Sequence, residues 1–123
     1  MHNFIAQSLG LPWTFHSTEC ATVEDAVALG RSSGTAGLVV TMPYKNSIMK
    51  HLDGLDDLAT TLNACNNVYR DPENPQLLRG TNTDWLGIKG CLLEKSDDAQ
   101  QQERSSAPAL IIGAVSNFLL IVD

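Results

Sequence analysis

The chain predicts an α/β fold, an open mixed or parallel sheet flanked by helices, and three observations carry that expectation. Strand-like and helical patterns alternate along its 123 residues. The run Leu38-Val39-Val40 has the composition of a strand buried on both faces, and Pro43 stops it for want of a backbone donor. Residues 64–69 and 77–79 flank Asp-Pro and Asn-Pro turn signals, which predicts a hairpin with a seven-residue connection.

Taken in order, residues 2–9 read as a short helix with Phe4, Ile5 and Leu9 on one side, ended by Gly10. Residues 13–20 alternate apolar and polar (Trp13 and Phe15 against Thr14 and His16), a strand signature. Thr22 and Asp25 form a capping box for a helix through Val23, Ala26, Val27 and Leu29 toward Gly30. Residues 47–52 supply one or two helical turns with Ile48, Met49 and Leu52 inward. Residues 56–62 supply another, with Leu55, Leu58, Ala59 and Leu62 at helical spacing. Residues 85–94 are helical, with Trp85, Ile88, Leu92 and Leu93 as the apolar stripe. Residues 96–106 are polar and aperiodic, the character of a solvated linker. Residues 109–113 begin a further strand.

A chain of this length suits one modest core. Its 43% hydrophobic and 18% charged residues are ordinary for a globular protein. A net charge of −6 with no Lys/Arg cluster argues against a nucleic-acid surface. No apolar run reaches the roughly 20 residues that span a bilayer, and the start lacks a secretory signal, so a cytoplasmic protein without membrane or nucleic-acid partners is expected. Cys20, Cys65 and Cys91 are widely spaced, as are His2, His16 and His51, so neither a metal site nor a disulfide framework is expected.

Two polar clusters stand at strand ends, where open α/β sheets bind ligands. One holds Thr41 and Lys45; the other is Gly80-Thr81-Asn82-Thr83-Asp84, ahead of a helix whose N-terminus favours an anion. Singly, Lys45 reads as a solvated surface residue, Asn66 as a turn residue and Asp84 as a helix cap. Together the two clusters suggest a convergent Lys–Asp pair.

Three ordered motifs extend this reading. Val40-Thr41-Met42-Pro43-Tyr44-Lys45 resembles the N-V-T-x-P-x-K pattern of the shikimate/quinate dehydrogenase family. Asn63-Ala64-Cys65-Asn66-Asn67 resembles its G-A-x-N-T, with Asn63 and Asn67 in place of Gly and Thr. Gly80-Thr81-Asn82-Thr83-Asp84-Trp85-Leu86-Gly87 resembles its G-x-N-T-D-x-x-G. The resemblance covers about residues 2–113 and is nearest in wording to fungal members. It implies the substrate-binding domain of a two-domain dehydrogenase, of the shikimate 3-dehydrogenase (NADP+) type. Such enzymes interconvert 3-dehydroshikimate and shikimate in aromatic amino acid biosynthesis. By the same resemblance Lys45 is the catalytic lysine and Asp84 its partner. Thr41, Lys45, Asn66 and Asp84 contact a small polyhydroxylated cyclic carboxylic acid, shikimate or quinate, and the cofactor is NADP or NAD. The chemistry is consistent: when a secondary alcohol loses hydride from carbon, a positioned group must take the proton from oxygen.

Departures from the family shape the remaining expectations. The family's Ser-rich S-x-S-P motif and first strand, which lies in the sheet interior, would precede His2-Asn3. A dinucleotide needs a glycine-rich strand-to-helix turn; Leu110-Ile111-Ile112-Gly113-Ala114 begins one, but Val115 and Ser116 stand where further glycines belong. The expected organisation is a substrate-binding domain over 1–95, a linker over 96–108, and an aborted start of a cofactor domain with a divergent tail over 109–123. Gly113 is only a remnant of the cofactor site, the family's reaction is not expected from this chain alone, and exposed sheet edges make self-association an expectation. Two alternatives remain open: a non-catalytic, metabolite-binding regulator of the quinate pathway, and a piece of a quinate dehydrogenase.

Overall fold

The computed structural model describes residues 2–94. The linker and the elements expected beyond residue 95 lie outside that range. The first helix, α1 (His2–Ser8), ends where Gly10 takes φ +66°, a left-handed conformation that glycine adopts without steric cost. In α2 (Val23–Arg31) the capping box forms in full: the Thr22 hydroxyl accepts from the Asp25 N–H, and the Asp25 carboxylate accepts from the Thr22 N–H.

After α2 come β1 (Gly37–Val39), α3 (Tyr44–Ser47) and a 3₁₀ turn over Ile48–His51. Then follow β2 (Gly54–Leu55) and α4 (Asp57–Leu62), which is capped by the Asp56 carboxylate accepting from the Ala59 N–H at 2.8 Å. Asn63 ends α4 at φ +49°. Asparagine tolerates this region better than most residues, so it serves here where the family pattern has Gly. The hairpin strands are β3 (Asn67–Arg70) and β4 (Leu78–Thr81), and α5 (Asp84–Glu94) closes the described chain.

The sheet is open and mixed, ordered β1-β3-β4-β2. The β1/β3 and β3/β4 pairs are antiparallel, with Leu38 opposite Val68 and Val68 opposite Gly80, while β2 runs parallel to β4. Ile48, Cys65, Val68 and Leu78 are wholly buried and pack with Val23 and Val40 as the core. At Gly80 an added Cβ would stand 2.6 Å from a Leu52 methyl and 2.8 Å from the Cys65 sulfur. Glycine is what lets β4 lie this close to its neighbours. Among the described residues no helix is long and apolar enough to cross a membrane.

Three expectations are corrected. Residues 13–20 form no strand. They run alongside α1, where the Phe15 N–H donates to the Asn3 side chain at 2.5 Å and the His2 ring stacks on Phe15 at 4.4 Å. Alternation supplies a pattern, but a strand also needs a ladder partner. The strand at Leu38 is not buried on both faces: it is an edge strand, and Val39 is 52% exposed. The apolar side of α1 is also uncovered, with Phe4 at 72% and Leu9 at 67% exposure. Finally, the helix after Pro43 begins at Tyr44 rather than 47, so Lys45 lies within it. In α5, Ile88 is partly exposed; the side chains of Leu92 and Leu93 lie outside the described set.

Candidate functional site

The chain leaves β1 through a tight turn. The Val40 N–H still donates across the sheet to the Asn66 carbonyl at 2.8 Å, and the Tyr44 N–H then donates to the Thr41 carbonyl at 3.0 Å. This places Lys45 in the first turn of α3. Its carbonyl accepts the Cys65 N–H at 2.7 Å, so the lysine backbone is tied to the segment that carries Asn66. Burial holds the Cys65 thiol above its ordinary pKa, so it stays protonated.

Asp84 opens α5, where the helix dipole favours a carboxylate. Its N–H donates to Asn82 Oδ1 at 3.0 Å, and Asn82 Nδ2 donates to the Ala64 carbonyl at 2.9 Å. Asn82 is buried and so bridges two loops out of reach of solvent. The Asn66 N–H also donates to the Thr81 carbonyl at 3.1 Å. Three loops are thereby stitched into one frame: that after β1, that before β3 and that after β4.

Within the frame Lys45 Nζ lies 2.6 Å from Asp84 Oδ2, with the side chains 17% and 34% exposed. The other carboxylate oxygen accepts from Asn66 Nδ2 at 2.7 Å. Asn66 Nδ2 also donates to Thr83 Oγ1 at 3.1 Å, and Asn66 Oδ1 accepts the Thr83 N–H at 3.0 Å. A carboxylate can only accept and a backbone N–H can only donate, so these partners fix which way the amide points. Both amide hydrogens of Asn66 are therefore spent inside the protein, on orienting Asp84 and Thr83. An ammonium carries three hydrogens. Asp84 is the partner of Lys45 Nζ among the described residues, which leaves hydrogens for a ligand oxygen.

The structure thus brings Lys45 and Asn66 each into direct contact with Asp84. Thr41 stands apart from these contacts, exposed at the end of β1. Asn82 and Thr83 are positioning residues to which the sequence pattern assigned no role. The available signal was three successive polar residues, Asn82-Thr83-Asp84, between a strand and a helix with no turn glycine among them. Among the described residues no cluster of His, Cys, Asp or Glu could hold a metal ion.

The strand-to-helix turns of residues 2–94 carry Thr-Met-Pro after β1, Asp56 after β2 and Asn-Thr-Asp after β4. None has the glycines that let a backbone approach a pyrophosphate. The described part of the chain does not fit a dinucleotide.

Residues 1–68 match the family described as the shikimate dehydrogenase substrate binding domain. The chain is 39% identical over 116 residues to a shikimate dehydrogenase (NADP(+)) of Bacillus licheniformis, covering 93% of this chain and 39% of that protein. It is 34% identical over 125 residues to a quinate dehydrogenase of Emericella nidulans, covering 92% and 38%. Among solved structures, shikimate 5-dehydrogenase from Listeria monocytogenes, determined with shikimate and NAD, superposes with a TM-score of 0.68 at 32% identity. That superposition covers 79% of this chain and 33% of the other. The chain thus spans under two fifths of the length of these relatives. On motif order, fold and sequence, it belongs to the shikimate dehydrogenase substrate-binding domain family.

Proposed function

We propose that this domain, residues 1–95, binds a polyhydroxylated cyclic carboxylic acid of the shikimate or quinate type. In that reading Lys45 and Asp84 form its reactive edge. The observation that carries it is the Lys45–Asp84 contact at 2.6 Å, with the second carboxylate oxygen held by Asn66. A cation and an anion fixed side by side can grip a hydroxyl from both ends: Asp84 accepts its hydrogen while Lys45 donates to its oxygen. In a dehydrogenase the same lysine would take or return the proton of the reacting hydroxyl. Asp84 would hold it in place, and Thr41 would meet a second hydroxyl. NADP or NAD is the cofactor this family resemblance implies, and the turns of residues 2–94 lack the glycines that a dinucleotide's pyrophosphate needs. Similarity to both a shikimate and a quinate dehydrogenase leaves those two acids as the ligands to compare.

The test is a thermal melt of the chain with excess shikimate, quinate or neither. A ligand that binds only the folded state stabilises it, by about 2.7 kcal/mol at one hundred times its dissociation constant. One acid should raise the transition, and Lys45→Ala should abolish the rise while the transition itself stays cooperative. A cooperative melt that neither acid moves at millimolar concentration refutes the proposal.

A further inference from the structure

The helix that carries Lys45 is a single turn. α3 has four residues, and isolated helices shorter than about 12 residues are marginal in water. Its N-cap, Pro43, makes no side-chain capping bond among the described residues. Bonds to the rest of the chain therefore set how this turn is oriented, and two of them reach one segment. The Lys45 carbonyl accepts the Cys65 N–H at 2.7 Å, and one residue on, Asn46 Nδ2 donates to the Asn63 carbonyl at 3.0 Å. A carbonyl can only accept, so this partner also fixes which way the Asn46 amide points.

The bond at Lys45 by itself is a pivot about which α3 can turn, and the bond at Asn46 removes that rotation. Residues 63–65 lead directly into Asn66, whose amide holds Asp84 Oδ1 at 2.7 Å, while Lys45 Nζ meets Asp84 Oδ2 at 2.6 Å. Asn46 thus closes a ring: from α3 to Asn63, along the chain to Asn66, across to Asp84 and back through Lys45 Nζ. The stem of a lysine is flexible, so the base of that stem has to be fixed if its ammonium is to be aimed. The Asn46 bond is exposed, where water competes with it, so its weight falls on alignment more than on holding the fold.

We infer that Asn46 is a positioning residue, whose amide fixes the rotation of α3 and so aims Lys45 Nζ at Asp84 and at a bound hydroxyl. Its acceptor is a backbone carbonyl, presented where Asn63 takes φ +49°, a conformation that glycine also adopts without steric cost. The side chain of Asn63 is therefore no part of the device. This inference rests on the ligand proposal only where it concerns affinity.

NMR of the chain with isotope-labelled lysine tests it without any ligand. The Lys45 ammonium, held by Asp84, should give a resolved signal that disappears in Lys45→Ala. In Asn46→Ala its hydrogens should exchange about threefold or more faster, while the Val68 amide stays protected and shows that the domain is folded. Asn46→Gln, which keeps an amide donor, should restore slow exchange, and Asn63→Gly, which keeps the acceptor, should leave it unchanged. Slow exchange that survives Asn46→Ala overturns the inference, as does a parent chain in which the Lys45 ammonium gives no resolved signal. Fast exchange in Asn63→Gly overturns it too. Titration with whichever of shikimate and quinate moves the parent melt should give a dissociation constant about threefold to tenfold higher in Asn46→Ala, the span of one exposed hydrogen bond; an unchanged constant breaks the link to binding. If neither acid moves the parent melt, the ligand proposal fails by itself and the ammonium signal still decides the role of Asn46.

Discussion

Asn82→Ala perturbs the frame of the site at its most buried polar point. The substitution removes the donor to the Ala64 carbonyl and the acceptor of the Asp84 N–H. Asn82 and Ala64 are only 3% and 6% exposed, so water cannot replace the first bond without opening the loop. An unsatisfied buried group costs about 1–3 kcal/mol. Taking about 2 for the enclosed carbonyl and about 1 for the more accessible Asp84 N–H gives about 3 kcal/mol, roughly a hundredfold in the unfolding equilibrium. Urea denaturation at neutral pH measures this directly. Asn46→Ala is the matched control, because its amide makes a single 3.0 Å bond to the Asn63 carbonyl at an exposed position. It should cost under about 1 kcal/mol. If Asn82→Ala costs no more than Asn46→Ala, the Asn82 bonds are open to solvent and the argument that this residue holds the loops together fails. Where the variant still folds, its response to shikimate and quinate should weaken, since Asp84 loses the bond that anchors its N–H.

Two further outcomes follow from polar networks away from the site. Arg70 donates to the carbonyls of Gly30, Ser32, Thr35 and Pro75, tying the end of α2 and the approach to β1 to the hairpin. Arg70→Met should cost about 2–4 kcal/mol by urea denaturation. Arg70→Lys should recover little of it, because a single ammonium cannot reproduce the guanidinium fork; full recovery with lysine would show that charge alone matters. Asp53 accepts from the Leu78 N–H at 2.7 Å and pairs with Arg31, and those contacts, the backbone bond foremost, hold its carboxyl below the ordinary value. A lowered folded-state pKa stabilises the fold above the unfolded-state value, about 3.9, and that contribution is lost as pH falls through the folded value. The stability gap between the parent chain and Asp53→Asn should therefore narrow from pH 5 toward pH 2. A gap that does not change with pH over that range would refute the linkage. Asp71, lowered chiefly by its hydrogen bond from Arg79, adds to the same acid limb.

Features set by near neighbours in the chain were legible in the sequence. The Thr22–Asp25 capping box and the Gly10 stop each involve residues within about a turn of one another, so their chemistry acts wherever the segment lies. The hairpin was legible for the same reason: its turn residues and flanking strands are contiguous, and the sheet forms its β3/β4 pair between them. The three motif loops could also be named, because each is a short run with its own pattern of polar residues.

What joins those loops is non-local, and only the folded chain decided it. Lys45 and Asp84 are 39 residues apart and meet because Asn66 and Asn82 bind the intervening loops together. No local pattern shows that an Asn amide will spend both hydrogens on Asp84 and Thr83. Strand order is likewise a property of the assembled sheet. Leu38-Val39-Val40 has an interior composition yet lies at an edge, and β2 carries too few residues to show any period. Residues 13–20 have the alternation of a strand without a ladder. Sequence dictates the backbone's local preference and each side chain's chemistry, while strand pairing depends on which distant segment arrives alongside, and that is settled by tertiary packing.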